Sequence, residues 1–235
     1  MRIIKAVFFD WFNTLARYNP PRYQLHSKAC HEFGIELSPD VVKRGVLTAD
    51  RYFFEENTRS SVEKRSPEEK AALYYRYQEI VLSEAGLELP RETILSVVKR
   101  AHELFEGVTF VLFDDVLSTM KMLKERKLVL GLLTNANREV ISVYRQLGLE
   151  PYLDFIVTSE EAGGDKPRPP IFLMALERAG ADASAVVHVG DQYGIDVVGA
   201  RGVGISPILI DRDDLYPEVT DCPRISTLPQ LVDYI

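Results

Sequence analysis

The sequence predicts an α/β fold: a doubly wound parallel sheet carrying an all-helical insertion after its first strand. Three observations predict it. Short apolar runs alternate with helical patterns through the second half of the chain, a matching run opens the chain, and the alternation disappears between Leu15 and about Gly107. A chain of 235 residues is long enough for one core domain and a smaller partner.

The elements follow in order. From Arg2 to Phe9 the residues are β-branched and apolar, the pattern of a strand covered on both faces. Four helical segments come next, with readable ends: one stops at Gly34, Ser38-Pro39 opens the second, Ser66-Pro67-Glu68 opens a third that stops at Gly86, and Pro90 opens a fourth ending near Gly107. The alternation then resumes. Strands are expected at 128–134, 154–159, 185–191 and 204–211, and helices at 115–127, 137–148, 169–180 and 196–204. The expected domains are an α/β core at 1–16 and 108–235, with five or six strands, and a helical domain at 17–107.

Hydrophobic residues make up 46% of the chain and charged residues 27%, which excludes a disordered polymer. The formal net charge of -7 argues against nucleic acid as a partner. Cys30 and Cys222 have no metal-type spacing and read as two reduced thiols, with an isolated disulfide left open. The first apolar run meets Asp10 too soon for a secretory signal, and no run is long enough to cross a bilayer. The expectation is a cytoplasmic protein without a membrane, monomeric or homodimeric.

In parallel α/β sheets ligands bind beyond the carboxyl ends of the strands, and chemistry-bearing residues stand at those ends here. Asp10 ends the first run, Thr134-Asn135 the second, Asp191 the fourth, with Asp196 about a turn further on; Lys166 precedes the helix at 169–180. A single strand-ending aspartate is more often a cap or turn residue. Four such ends together compose a site. Asp10 and Asp191 supply the oxygen ligands that Mg2+ takes, while a hydroxyl, an amide edge and an ammonium would hold phosphate oxygens. A carboxylate beside a metal is also a competent nucleophile toward phosphorus.

These residues resemble the motifs of the haloacid dehalogenase-like hydrolase superfamily, which has a Rossmann-like core: "VFFDWFNTL" (7–15), "GLLTN" (131–135), "GDKPRPPIF" (164–172) and "VGDQYGID" (189–196), in the family's order. The resemblance spans Arg2–Leu15 and about Asp114–Ile210, and places the helical insertion where one subgroup carries a mobile cap. It implies that Asp10 is nucleophile and metal ligand, with the backbone carbonyl of Phe12 a second ligand. Thr134 and Lys166 would bind the transferring group, and the backbone amides of Trp11, Phe12 and Asn135 would add donors. Asp191 would hold Mg2+ directly, and Asp196 directly, through water or as an orienting acid. Thr14 reads as a turn-fixing hydroxyl and His188 as a hydrogen-bonded core residue.

One position departs from the pattern. Family phosphatases carry a second Asp two residues after the nucleophile as general acid and base, and here that position is Phe12. Such catalysis contributes about 10²–10⁴-fold. Three readings compete. Dehalogenases of the family carry an aromatic there but normally replace the acids of the fourth motif, which this chain keeps. Phosphonate-cleaving members begin D-W, as here, but follow it with a small residue and need a cap lysine, and nothing singles out Lys43, Lys64 or Lys70. The reading adopted is a Mg2+-dependent phosphatase of a small phosphate ester or anhydride with an atypical acid/base. A phospho-ligand-binding or interaction protein with negligible turnover is the alternative of another class. His26, His31, Tyr18 and Tyr23 are the nearby candidates for a replacement proton donor, each more often a packing or surface residue. Asn13 replaces the usual glycine before Thr14, and asparagine tolerates the left-handed φ of a tight turn.

Overall fold

A computed structural model describes residues 3–136 and 140–235, apart from the side chains of Thr58, Glu63 and Val140. The chain divides into two compact units, Met1–Arg17 with Val111–Ile235, and Tyr18–Phe110.

The first unit is built on a six-stranded parallel sheet: β1 (Ala6–Phe9), β4 (Val129–Thr134), β5 (Phe155–Thr158), β6 (Val186–Gly190), β7 (Ser206–Ile210) and β8 (Arg224–Ile225), in the order β5-β4-β1-β6-β7-β8. Register places Phe9 opposite Leu132 on one side and Val189 on the other. Side chains alternate across the sheet. Phe8, Leu133 and Val157 pack on one face against Ile171, Phe172 and Ala175 of α8 (Pro169–Ala179) and Ala200 of α9 (Val198–Gly202). Val7, Phe9, Leu130 and Leu132 are buried with Met120 and Leu123 of α5 (Val116–Glu125). Gly131 lets Phe155 lie edge-on to Phe8, because a Cβ there would stand 2.4 Å from the Phe155 ring.

Each helical pattern expected in this unit is helical; those at 115–127 and 169–180 have trimmed ends, while the one at 196–204 begins earlier, as a π-helical stretch (Tyr193–Val197) that contains Asp196 and leads into α9. The helix expected at 137–148 is described from Val140 as α6 (Val140–Gln146), its first three residues lying outside the described ones, and α7 (Ser159–Ala162) is a single turn. The first strand begins at Ala6 and not at Arg2, for Ile3 is 78% exposed and has no sheet to cover it.

The second unit contains the four expected helices: α1 (Arg22–Glu32), α2 (Pro39–Arg59), α3 (Pro67–Ser83) and α4 (Arg91–Phe105). Ser66 and Glu69 form a reciprocal capping box at the start of α3, at 2.7 and 3.2 Å. Ala29, Cys30, Leu82, Ile94 and Val97 form one apolar cluster, and Val42, Val46, Ala49, Tyr77 and Val81 another. Gly45 permits close packing of α2 on α3, as a Cβ there would meet the Val81 carbonyl oxygen at 2.7 Å. The chain passes between the units along β2 (Ala16–Asn19) and β3 (Thr109–Leu112), which pair as a two-stranded ribbon. No helix among the described residues is long and apolar enough to cross a membrane. Cys30 and Cys222 are both free thiols.

Candidate active site

The strand order turns outward in both directions from β1, so the loops after β1, β4 and β6 diverge and leave a crevice at their carboxyl ends. Asp10 follows β1, with its backbone N–H donating to the Val189 carbonyl at 2.8 Å. Asp191 follows β6 directly, and Thr134 closes β4. The turn after Asp10 is tight: the Leu15 and Ala16 amides both donate to the Trp11 carbonyl, at 3.0 and 3.1 Å, and Asn13 takes φ 58°. Asparagine therefore does fill the left-handed position that a glycine would occupy.

Four charged side chains meet in this crevice, all of them buried. The Lys166 ammonium donates to Asp10 Oδ1 at 2.5 Å and to Asp196 Oδ1 at 2.7 Å. The same Asp196 oxygen meets His188 Nε2 at 3.0 Å, and its Oδ2 accepts from the Gln192 backbone N–H at 3.1 Å. An ionised carboxylate only accepts, so the imidazole proton sits on Nε2, and buried Nδ1 has no partner. Thr14 does more than fix the turn, for its hydroxyl donates to Asp10 Oδ2 at 3.4 Å. Asp191 accepts from the Asn13 side chain, while its Oδ1 is buried with no hydrogen-bond partner.

Electrostatics divide these groups. Burial pushes the Asp10 carboxyl up to about 6 against the pull of the Lys166 ammonium. Burial, then the charges of Asp10 and Asp196, push Asp191 well above the usual carboxylate range. Burial acts the same way on Asp196, but Lys166 and His188 outweigh it and hold that carboxyl below its ordinary value. Lys166 is held above its ordinary value, since its two carboxylate partners overcome the cost of burial. Burial lowers His188, which keeps it neutral. Three carboxylates thus face one ammonium, an excess of two negative charges when all are ionised. One oxygen from each of Asp10, Asp191 and Asp196 lies within 4.8 Å of the others, so these acids could hold a metal ion. The charge excess and the unpartnered Asp191 oxygen suit a divalent cation that prefers oxygen ligands.

Sequence reasoning named these four charged residues but missed what positions them. The side-chain amide of Asn135 is not an open edge: its Oδ1 accepts from the Lys166 N–H at 2.8 Å and its Nδ2 donates to the Lys166 carbonyl at 3.0 Å. The amide thus clamps the lysine backbone. Thr134 Oγ1 accepts from the Ala136 N–H at 3.1 Å. Gly190 is required because a Cβ would lie 2.1 Å from Asp196 Cγ, and Gly199 because a Cβ would stand 2.6 Å from the Phe172 ring and 3.0 Å from Pro167 Cα. These two close approaches let Asp196 and the Lys166 loop converge. A glycine at each position was visible in the sequence, but not the group it makes room for.

A sequence profile described as haloacid dehalogenase-like hydrolase matches residues 4–204. The chain belongs to that family. As a member of the haloacid dehalogenase-like hydrolases it is a hydrolase, with the family's Rossmann-like core. It is 41% identical over 119 residues to haloacid dehalogenase-like hydrolase domain-containing protein 3 of Danio rerio, a match covering 51% of this chain and about half (49%) of that relative. It is 30% identical over 227 residues to ribulose-1,5-bisphosphate 5-phosphatase of Halopiger xanaduensis, covering 94% of this chain and 91% of that protein. Among solved structures, a 2-haloacid dehalogenase of Pseudomonas syringae pv. Tomato superposes with TM-score 0.54 at 27% identity, over 98% of this chain and 97% of that one.

Proposed function

We propose that this hydrolase is a Mg2+-dependent phosphatase that passes a phosphoryl group from a small ester or anhydride to Asp10 and then to water. The observation that carries the reading is the unpartnered Asp191 oxygen buried beside Asp10, in a cluster where three carboxyl groups face a single ammonium. Asp10, Asp191 and the backbone carbonyl of Phe12 would hold the ion. Asp196 is better suited to orienting Lys166 than to direct ligation, since its oxygens already meet three donor groups. When bound, Mg2+ would offset the carboxylate charge and draw electron density from a phosphoryl oxygen.

The chain's own groups divide the remaining work. Lys166, fixed by the Asn135 clamp and by two carboxylates, stabilises charge on the equatorial phosphoryl oxygens. Thr14 holds one Asp10 oxygen, which aims the carboxylate at phosphorus for displacement of the leaving group. Thr134 and the amides of Trp11, Phe12 and Asn135 serve as further phosphate donors. Phe12 has no proton to lend the departing oxygen, so aryl and acyl phosphates, which need little protonation, are the favoured substrates. Attack of water on the aspartyl-phosphate also lacks a base at that position, and the phospho-enzyme accumulates.

The aromatic at position 12 also favours a second reading, 2-haloacid dehalogenation. Against it, a carboxylate substrate would enter a cluster already rich in negative charge. One paired assay separates them: phosphate release from p-nitrophenyl phosphate in Mg2+ or EDTA, beside halide release from a 2-haloacid. Phosphate release abolished by EDTA is expected; metal-independent halide release would overturn the proposal.

A further inference from the structure

The turn that carries Asp10 is held from outside itself. Within it the Leu15 and Ala16 amides donate to the Trp11 carbonyl, and the Asn13 N–H donates to the Ala16 carbonyl at 2.7 Å. The Thr14 carbonyl takes no part in these bonds. It accepts from Arg212 Nη2 at 3.0 Å, across 198 positions of chain.

Arg212 follows β7, and its guanidinium is fixed on three sides. Nη1 and Nη2 donate to the two Asp115 oxygens at 2.9 and 3.0 Å, and Cζ lies over the Phe113 ring, 3.9 Å from its centre. Asp115 begins α5, where an aspartate ordinarily accepts from the first turn of its own helix. Here it makes no such cap: both oxygens go to Arg212, and Oδ2 also accepts from the Leu228 N–H at 2.9 Å. Phe113 is tied to the Asp10 turn as well, for its N–H donates to the Leu15 carbonyl at 3.1 Å. A planar guanidinium suits this place because one Nη2 hydrogen can go to Asp115 and the other to Thr14, in directions a lysine ammonium would not fix. The Thr14 hydroxyl in turn donates to Asp10 Oδ2 at 3.4 Å, a length that leaves little slack.

We propose that Arg212 is a positioning residue for the nucleophile: by holding the Thr14 carbonyl it fixes the aim of the Asp10 carboxylate, and Asp115 holds Arg212. The inference rests on the phosphatase reading, in which Asp10 attacks phosphorus.

The test is single turnover, with the full-length protein in excess over p-nitrophenyl phosphate in Mg2+, so that p-nitrophenol release reads transfer to Asp10 and not the later loss of phosphate. Arg212→Met keeps the apolar stem and removes every side-chain N–H. It should lower the saturating rate constant about 30-fold while changing the half-saturating protein concentration by less than about twofold. Arg212→Lys keeps the charge and can reach one acceptor, so it should leave a deficit of about tenfold. This variant decides the matter should Arg212→Met lose its native circular dichroism. Arg224→Met is the control: Arg224 pairs with Asp211 and Asp214 of the same loop, and without it Asp211 keeps the Leu215 and Tyr216 amides. Its rate should stay within about twofold of wild type. Hydrogen exchange at the Leu15 and Ala16 amides should quicken about tenfold in Arg212→Met and not in Arg224→Met. Wild type without Mg2+-dependent release would sink the phosphatase reading and this inference with it. An active wild type beside an undiminished Arg212→Met, or one slowed no more than Arg224→Met, would overturn the inference alone, as would wild-type exchange at both amides.

Discussion

Each unit of the molecule buries a polar cluster, and the two are built on opposite plans. In the helical unit Arg22 pairs with Asp50, Tyr77 donates to the same carboxylate at 2.7 Å, and His26 meets Gln78. Its one positive and one negative charge cancel, and among the described residues no buried side-chain polar atom of that unit lacks a partner. In the sheet unit three carboxylates face one lysine, and Asp191 Oδ1 and His188 Nδ1 are left without partners. A cluster that only holds helices together is neutral and closed, since any remainder would cost stability. The remainder in the sheet unit is what the proposed Mg2+ would offset.

That contrast can be broken, and the largest effects come from the sheet unit. Asp10→Asn should cut metal-dependent phosphate release by more than about 10⁴-fold; a variant with a tenth of wild-type turnover would remove Asp10 as the nucleophile. Phe12→Asp should raise turnover of an unactivated alkyl phosphate about 10³-fold while leaving p-nitrophenyl phosphate nearly unchanged. The ratio of kcat/KM for the two substrates reads this directly.

The closed cluster should answer in stability. Asp50→Ala strands the Arg22 guanidinium, whose side chain is 19% exposed, and should cost about 4 kcal/mol in urea denaturation. His26 sharpens the comparison through pH. Its folded value of about 4 lies below the unfolded value near 6.5, so between these the unfolded chain binds more protons. Its contribution is therefore full above about pH 6.5 and disappears as pH falls toward 4, on the order of 3 kcal/mol in all. His26→Gln should flatten that slope; an unchanged slope would place the acid sensitivity elsewhere. The smallest effect is a gain. Asp191→Asn removes one of three mutually repelling acids and should raise stability in EDTA by about 1 kcal/mol, while reducing the extra stability that Mg2+ confers. A loss in EDTA would show that Asp191 is not electrostatically strained.

Legibility in the sequence followed how local each signal was. The strands carrying Asp10, Thr134 and Asp191 were readable because both faces of each are covered, which forces continuous apolar runs. Helices α2 and α3 announced themselves through Ser-Pro starts. The β2–β3 ribbon was invisible: its strands are four residues each, one reads ARYN, and the Thr109 hydroxyl reaches the Asn19 carbonyl at 3.2 Å across ninety positions of chain. The two-residue β8 and the closing 3₁₀ turns at Leu228–Tyr234 are likewise too short to set a period.

By itself the sequence determined the layered α/β architecture, the four-helix insertion and the identity of the charged groups at the strand ends, because periodicity and residue type are local properties. Only the tertiary structure decided how those groups share hydrogen bonds. Lys166 bridges Asp10 and Asp196 across 156 and 30 positions, Asn135 clamps its backbone, and Asp191 is left with an oxygen to spare. Such pairings depend on which strands become neighbours and which glycines let them close, and a charge balance exists only once the charges have been brought together.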